Sequence, residues 1–504
     1  MTQDGMKTSN DSTSYGTIFK TTFLFGFVQV FNILVKVGLN KVVAVLLGTN
    51  GMGVIGLFQT ATNTIKTGAG LGVNQSAVRD ISEANACGDF TRFSRIISLT
   101  NIVIVFTSLF GLVLTIVLSP VLSQWQFGNK HYTLAFIWLS IVVFLNILSE
   151  GQLAILKGMR QLRSLAKASM IGSLVGLLSA IPFYYFFHEG GIVPSLLITA
   201  FVALLFSNLY VRRIHFERIK LSIRDAFKEA TPMVKMGVAL MLVGFIGSLF
   251  DLIVASYISR SGSVSDVGLY NAGATIISGY FGVIITAMST DYYPRISAVY
   301  NDNEKLTEEM NKQSETGLVL VFPLVILFVF LSPLFINLLY SPEFYSSNQY
   351  TDYAMIGTVI IIVSNCMGMI LLAKQASNIF IISVIVQRVL LIGVYLGLYN
   401  KLGLMGLGFA HIASGFLHIL FMTAILKRFY AIRLNTGTYL LLVIVVCFTI
   451  MTVFIRKIDV LWLKYSLGGL VFVFSTLFSY RYMKKRMGLD FYQIALTKLR
   501  GIKR

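Results

Sequence analysis

Stretches of about 20 consecutive apolar residues recur along the whole chain, and each is long enough to cross the hydrocarbon core of a membrane as a helix. Of the 504 residues, 56% are hydrophobic and only 12% are charged. A β-barrel would require short strands of alternating polarity, and continuous apolar runs such as 96–119 do not fit that pattern. The sequence therefore predicts an all-α integral membrane protein with about 14 transmembrane helices.

Two copies of one pattern follow each other along the chain, about 212 positions apart. Gly56–Gln59 (GLFQ) corresponds to Gly268–Asn271 (GLYN), and the Leu-Ser-Pro triplet at 118–120 corresponds to the triplet at 331–333. The tripeptide that begins at Gly191 likewise corresponds to the one that begins at Gly403. Duplicated helix bundles usually transport a cargo by rocking one half against the other around a site at their interface. The predicted segments are an N-terminal segment (1–20), a six-helix lobe (21–211), a basic linker (212–235), a second six-helix lobe (236–430), two additional helices (431–480) and a basic tail (481–504).

Basic residues are distributed unevenly over the loops between the predicted helices. The formal net charge is +19, and with the N-terminus inside the cell most of the 41 Lys and Arg residues fall in inner segments. The predicted outer loops hold Lys130, Arg260, Lys401, Arg456, Lys457 and Lys464. By the positive-inside rule we predict that both termini are cytoplasmic. We expect the basic tail to contact anionic lipid headgroups rather than nucleic acid.

Features typical of enzymes are missing from the sequence. No predicted loop is longer than about 25 residues, which leaves no room for a soluble catalytic domain. The chain has no G-x-x-x-x-G-K-[ST] phosphate-binding loop, and Cys87, Cys366 and Cys447 lie too far apart to indicate a disulfide framework or a metal site. The first twenty residues resemble no removable signal peptide. We therefore expect a transporter without a cofactor, driven by ion gradients, membrane potential or downstream consumption.

Four cations fall inside predicted membrane helices: Lys36 and Lys41 in helix 1, Lys66 in helix 2 and Arg388 in helix 11. Each would cost roughly 2.5 to 3.5 kcal/mol at the bilayer centre, so polar surroundings must solvate it. Asn32 and Asn40 share a helical face with Lys36, and Gln59, Asn63, Gly70 and Asn74 share a face with Lys66. This pattern predicts a hydrated cationic cavity for an anionic passenger, because ammonium and guanidinium groups suit phosphate and carboxylate. The predicted binding set has eight residues: Lys36, Lys41, Lys66, Arg388, Asn32, Asn40, Gln59 and Asn63.

Structural explanations exist for the same residues. Lys41 could extend to the outer interface, and Lys36 could pair with Asp251 in helix 7. Glycines at 68, 70 and 72 favour close helix packing rather than a phosphate site.

The acids inside or near predicted helices are candidates for coupling transport to Na⁺ or H⁺. They are Asp251, Asp291 and Glu150, of which Asp251 lies deepest in its helix. His411 and His418 are seven residues apart on one face of helix 12, a spacing compatible with a proton relay.

The stretch from Lys41 to Glu83 carries Val45-Leu46-Leu47-Gly48, Gly51, Gly53, Gly56-Leu57, Gly72 and Arg79. With Phe127-Gly128-Asn129, Leu156–Arg160 and Tyr293–Ser297, it resembles the polysaccharide exporters of the multidrug/oligosaccharidyl-lipid/polysaccharide superfamily, and more closely the O-antigen and enterobacterial-common-antigen lipid flippases. This resemblance covers roughly residues 15 to 430. Members often stop at twelve helices, so helices 13 and 14 depart from the pattern.

The resemblance implies two six-helix lobes in a V, alternating access, and flipping of an undecaprenyl-diphosphate-linked oligosaccharide to the periplasmic leaflet of the bacterial inner membrane. Lys36 and Lys66 would contact the diphosphate, and a polysaccharide polymerase and chain-length machinery would be partners. Three alternatives remain open. They are a multidrug/cation antiporter of the same fold, a lipid II flippase, and a membrane-embedded glycan ligase or polymerase.

Overall fold

A computed structural model describes residues 27–87, 89–214, 219 and 223–487. These residues are helical almost throughout and contain no strand, which confirms the predicted all-α class. The helices are α1 (Phe27–Leu46), α2 (Gly48–Ala69), α3 (Val73–Ala86), α4 (Phe90–Phe127), α5 (Thr133–Gly158), α6 (Leu162–Phe187), α7 (Ile192–Arg212), α8 (Ile223–Ser261), α9 (Val264–Ala274), α10 (Gly282–Ala298), α11 (Asn303–Leu339), α12 (Asn348–Ala373), α13 (Ser377–Tyr430), α14 (Thr436–Arg456) and α15 (Leu461–Met487).

Eleven helical segments of the described chain are long and apolar enough to cross a membrane, so the protein is a multi-pass membrane protein. Two of them, Leu162–Arg212 and Ser377–Tyr430, have 51 and 54 residues. At about 1.5 Å per residue, each is more than twice as long as the roughly 30 Å hydrocarbon core. Both segments are interrupted. A 3₁₀ turn at His188–Gly191 interrupts the first, and non-helical backbone at Gly403 (φ 59°, ψ −138°) interrupts the second. Helix α2 is not among the eleven, and the count of fourteen stays a prediction.

The predicted duplication is visible in the order of the elements. Helix α4 has 38 residues with Pro120 inside, and α11 has 37 residues with Pro333 inside. The interruptions at Gly191 and Gly403 lie 212 positions apart. The helix that precedes α4 is broken between α2 and α3, and its counterpart ahead of α11 contains a π-helical turn at Thr275–Phe281. Equivalent helices of the two halves are therefore interrupted.

The apolar run at 52–76 predicts one continuous helix 2, but the structure divides this segment into two helices. Helix α2 ends at Ala69, and α3 begins at Val73. Between them, Leu71 and Gly72 have φ values of 49° and 61°, and left-handed backbone cannot continue a right-handed helix. The predicted close packing is confirmed at Gly72, where a Cβ atom would lie 2.1 Å from the carbonyl oxygen of Gly237 in α8.

The chain divides into two compact units. Unit 1 extends to Gly268 and includes Leu339–Ser341; unit 2 comprises Leu269–Leu338 and the chain from Pro342 onward. Helix α8 therefore lies in unit 1, whereas the sequence pattern assigns its residues from 236 onward to the second lobe. Its contacts explain this difference: Thr64 donates to the carbonyl oxygen of Ser248 at 2.9 Å, and Arg95 pairs with Glu229.

Parts of the predicted segments lie outside the described residues. They are the N-terminal segment 1–20, residues 21–26 and 88 of the first lobe, residues 215–218 and 220–222 of the linker, and residues 488–504 of the tail.

Candidate functional site at a broken helix

A polar cavity of about 260 Å³ lies in unit 1 beside the break between α2 and α3. Its lining residues are Lys66, Thr67, Gly70, Gly72, Val73, Asn74, Gln75, Ile104, Thr107, Ile147, Glu150, Met241 and Gly244. They come from α2, α3, α4, α5, α8 and the break itself. Among the residues that the structure describes, Lys66 and Glu150 are the only charged ones in this lining.

Lys66, Glu150 and Asn74 form one connected group in the cavity. The Nζ atom of Lys66 lies 2.7 Å from Oε1 of Glu150, and Nδ2 of Asn74 donates to Oε2 of Glu150 at 3.2 Å. The Lys66 side chain is 22% exposed and the Glu150 side chain is 38% exposed, so water and ions can reach both groups. One carboxylate thus accepts hydrogen bonds from both sides of the helix break.

The broken helix explains why these groups meet. Lys66 lies in the last turn of α2, where the carbonyl end of the helix favours a cation, and Asn74 is the second residue of α3. The turn itself is hydrogen-bonded, because the amide of Gly70 donates to the carbonyl of Lys66 at 2.9 Å and the amide of Val73 donates to that of Gly70 at 3.1 Å. Non-helical backbone at membrane depth is tolerated where it is buried in protein or lines a cavity, as it does here.

The polar residues predicted in helix 1 lie outside this cavity. The side chain of Asn32 donates to Ser169 and accepts from Ser173, both at 3.1 Å, which fastens α1 to α6. Lys36 is exposed, and no ion pair joins it to any residue that the structure describes, so the alternative pairing with Asp251 is not formed. Asn40 is half-buried.

Lys41, Gln59 and Asn63 also lie away from the cavity. The ammonium group of Lys41 donates to the backbone carbonyl of Tyr340, a contact within unit 1. Gln59 and Asn63 are exposed on the face of α2 that carries Lys66. Of the eight residues predicted to line a substrate cavity, Lys66 alone lines this one.

Arg388 belongs to unit 2, in the first part of α13. His411 and His418, farther along α13, each contact a different residue of α12. His411 Nε2 lies 3.4 Å from the hydroxyl of Thr358, and His418 Nδ1 lies 2.8 Å from the hydroxyl of Ser364. These are two separate contacts rather than one continuous relay.

The three acids predicted to couple an ion lie in different surroundings. Glu150 faces the cavity, as described above. Asp251 is an exposed residue of α8 in unit 1. Asp291 is 75% exposed and pairs with Arg295 at 3.1 Å in unit 2. Only Glu150 therefore shares a cavity with one of the predicted cations.

Residues 42–349, more than half of the chain, match the family of polysaccharide biosynthesis proteins. The chain belongs to this family. The family resemblance predicted from the sequence is thereby confirmed. This polysaccharide biosynthesis protein is 23% identical over 394 residues to the Lipid III flippase of Escherichia coli (strain K12), a match that covers 76% of this chain and 92% of the relative. The Lipid III flippase of Shigella flexneri matches with the same values.

Solved structures of transporters share the fold of this polysaccharide biosynthesis protein. The Lipid II flippase MurJ, in an inward closed conformation, has a TM-score of 0.65 at 14% identity and covers 93% of this chain and 100% of its own. An inward-facing multidrug resistance MATE family transporter of the MOP superfamily has a TM-score of 0.65 at 17% identity, covering 79% of this chain and 96% of its own. The chain therefore shares the fold of these two transporters.

Two features of the site are not predicted from the sequence of this polysaccharide biosynthesis protein. One is the pairing of Lys66 with Glu150, which are 84 positions apart. The other is the participation of Asn74, which the sequence pattern places on the polar stripe but not in the binding set. The sequence does contain a signal for this pairing. Charged residues inside membrane helices usually pair with one another, and Lys66 and Glu150 both lie in apolar segments. The charge of the lining is consequently balanced rather than cationic.

Proposed function

We propose that this polysaccharide biosynthesis protein is a flippase for lipid-linked oligosaccharides. It transfers an undecaprenyl-diphosphate-linked repeat unit, of O-antigen or a related surface glycan, from the cytoplasmic to the periplasmic leaflet of the bacterial inner membrane by alternating access. It is a transporter and not an enzyme. The observation that carries the proposal is Lys66 in a water-accessible cavity at a broken helix, in a chain of this family and fold. The relatives named Lipid III flippase support it.

Lys66 is the primary phosphate contact in this proposal. Its ammonium group carries three hydrogen-bond donors on a flexible stem, which suits it to follow a phosphate group as a point charge. Thr67, Asn74 and Gln75 add hydrogen-bonding side chains to the same lining. A diphosphate carries more negative charge than Glu150 does, so it can displace the carboxylate as the ion-pair partner of the Lys66 ammonium group.

Lys36 and Arg388 are the proposed secondary cations. Lys36 is exposed on α1 without an ion-pair partner among the described residues, so its charge is available to a passing anion. Arg388 adds a guanidinium group in unit 2. Each is placed in a separate unit, and each is proposed to contact the substrate during a different part of the transport cycle.

Membrane potential can help to drive this transport. Moving one negative charge outward across an inside-negative membrane releases roughly 2.3 kcal/mol per 100 mV. A dianionic diphosphate therefore favours its own export. We propose that Na⁺ or H⁺ acts at Glu150, since this acid shares the cavity with Lys66.

A multidrug/cation antiporter of the same fold is the less favoured alternative. The match to the family of polysaccharide biosynthesis proteins and the relatives named Lipid III flippase support a lipid-linked glycan as the substrate instead. The similarity to a MATE family transporter concerns the fold alone.

The proposal is tested by replacing Lys66 with Gln in cells that lack the native copy of this protein. Surface polysaccharide and the cytoplasmic-leaflet pool of its lipid-linked precursor are measured together. Loss of surface glycan with accumulation of precursor is the expected result, with recovery in Lys66→Arg. Lys36→Gln and Arg388→Gln are expected to give partial losses.

Lys130→Gln is the matched control, because Lys130 is an exposed cation outside the cavity. All variants must reach the membrane in equal amounts. Normal surface glycan in Lys66→Gln would contradict the proposed role of this lysine. Accumulation of a peptidoglycan precursor instead of a surface-glycan precursor would indicate a lipid II flippase.

A further inference from the structure

The two charged residues of the cavity lining are paired with each other. Lys66 and Glu150 form a single salt bridge at 2.7 Å, and the other lining residues from α2, α3, α4, α5 and α8 are uncharged. The pair is only partly exposed, at 22% and 38% of the two side chains. A charged ligand that takes one of these two groups as its counter-ion therefore competes with the salt bridge, and the opposite member is then left with less counter-charge.

An anionic ligand at Lys66 leaves the carboxylate of Glu150 with Asn74 as its one remaining described hydrogen-bond donor. A carboxylate in a confined cavity with one amide donor is poorly compensated, because it has room for about four hydrogen bonds. A small cation at Glu150 removes this deficit. In the same way, a cation that reaches Glu150 first releases the ammonium group of Lys66 for an anion.

The cavity that contains Glu150 is also lined by residues with oxygen atoms suited to a small cation. The two carboxylate oxygens, the side-chain oxygen of Asn74 and the hydroxyl of Thr67 all belong to residues of this lining. Hard monovalent cations take oxygen ligands, and a proton would bind to the carboxylate itself. Both ligands have the same effect on Lys66, since each neutralises the charge of Glu150.

We infer that an isoprenoid diphosphate at Lys66 and a small monovalent cation at Glu150 bind cooperatively, each taking one half of the salt bridge. This inference rests on the proposed function and specifies how its site is coupled to an ion. The sign of the coupling is opposite to that of an exchanger, in which two ligands compete for one charged group. Thermodynamic linkage makes the effect reciprocal, so the diphosphate must tighten cation binding by the same factor.

The inference is tested by binding of farnesyl diphosphate to the purified full-length protein in lipid nanodiscs, measured by titration calorimetry. Sodium is replaced by N-methyl-D-glucamine at constant ionic strength, and the series is repeated at several pH values to separate sodium from protons. Wild-type protein is expected to bind the diphosphate about tenfold more tightly with the coupling cation present, within the range typical of coupled sites.

Variants of the salt bridge give the decisive comparison. In Glu150→Gln the cation effect is expected to fall below about twofold, with tight binding in the absence of the cation, because Lys66 is then released permanently. Asn74→Ala, which keeps both charges, is expected to retain the sign of the effect and so covers the case in which Glu150→Gln does not fold.

The possible outcomes separate this inference from the proposed function. Weaker diphosphate binding in the presence of the cation, or an equal cation effect in wild type and Glu150→Gln, overturns the cooperative coupling while the flippase proposal stands. Unchanged diphosphate binding in Lys66→Gln overturns the proposed site itself.

Discussion

Arg456, the last residue of α14, forms a two-pronged ion pair with Asp352 near the start of α12, and its Nη1 atom lies 2.7 Å from Oδ1 of the aspartate. The guanidinium group also donates to Ser332 and Asn348. The side chains of Arg456 and Asp352 are only 12% and 3% exposed. The sequence pattern predicts Arg456 in an outer loop. In the structure its side chain is largely buried and fastens α14, one of the two additional helices, to α12 within unit 2.

Replacing Arg456 with Gln is expected to destabilise the protein strongly, because Asp352 would remain buried without its cation. Removal of one partner of a buried ion pair costs about 3–5 kcal/mol. Thermal unfolding in detergent measures the effect. Lys457→Gln is the control, since Lys457 donates to the hydroxyl of Tyr353 in an exposed position. Equal unfolding temperatures for the two variants would contradict this interpretation.

Thr438 is expected to fasten the N-terminal end of α14 to α11. Its hydroxyl lies 2.7 Å from Oδ1 of Asn311 and 3.1 Å from Oε1 of Glu315, and it is fully buried. Thr438→Val should lose about 1–3 kcal/mol, because polar groups of α11 are left with fewer partners. Thr449→Val is the matched control, since the buried hydroxyl of Thr449 donates only to the carbonyl of Val445 in its own helix. Equal stability of both valine variants, measured by urea unfolding in micelles, would argue against an inter-helix role.

Glycine 72 is expected to tolerate no side chain. Gly72→Ala adds a left-handed alanine, which costs about 1–2 kcal/mol, and forces its Cβ against the carbonyl oxygen of Gly237. Gly128 also has a positive φ, 74°, but a Cβ there meets no atom within 4 Å. Gly128→Ala therefore isolates the backbone strain. Comparison of unfolding temperatures should show a clearly larger loss for Gly72→Ala; similar losses would mean that the close approach to α8 is unimportant.

Lys66 is expected to contribute to transport far more than to stability. Because its pair with Glu150 is partly exposed, the salt bridge is worth about 1 kcal/mol or less. Lys66→Gln should therefore unfold close to the wild-type temperature while surface glycan is lost. A fall in unfolding temperature as large as that of Arg456→Gln would instead identify Lys66 as a structural residue.

The sequence alone determined the class of the protein and its repeated organisation. Apolar runs of membrane-spanning length require helices, since lipid offers no hydrogen-bond partner to an open backbone. The landmarks at Gly191 and Gly403, and at Pro120 and Pro333, correspond to interruptions and prolines in equivalent helices of the two halves. The spacing of polar residues in helix 2 is also sufficient to place Lys66 and Asn74 on one face.

Only the tertiary structure decided how the embedded charges are used. Periodicity assigns a residue to a face of its own helix, but it does not show which helix that face meets. Packing brought Glu150 of α5 to Lys66, left Lys36 exposed, and joined Lys41 to the carbonyl of Tyr340. The periodicity also does not show the break at Leu71 and Gly72, where Gly237 from a distant part of the chain lies close to the backbone.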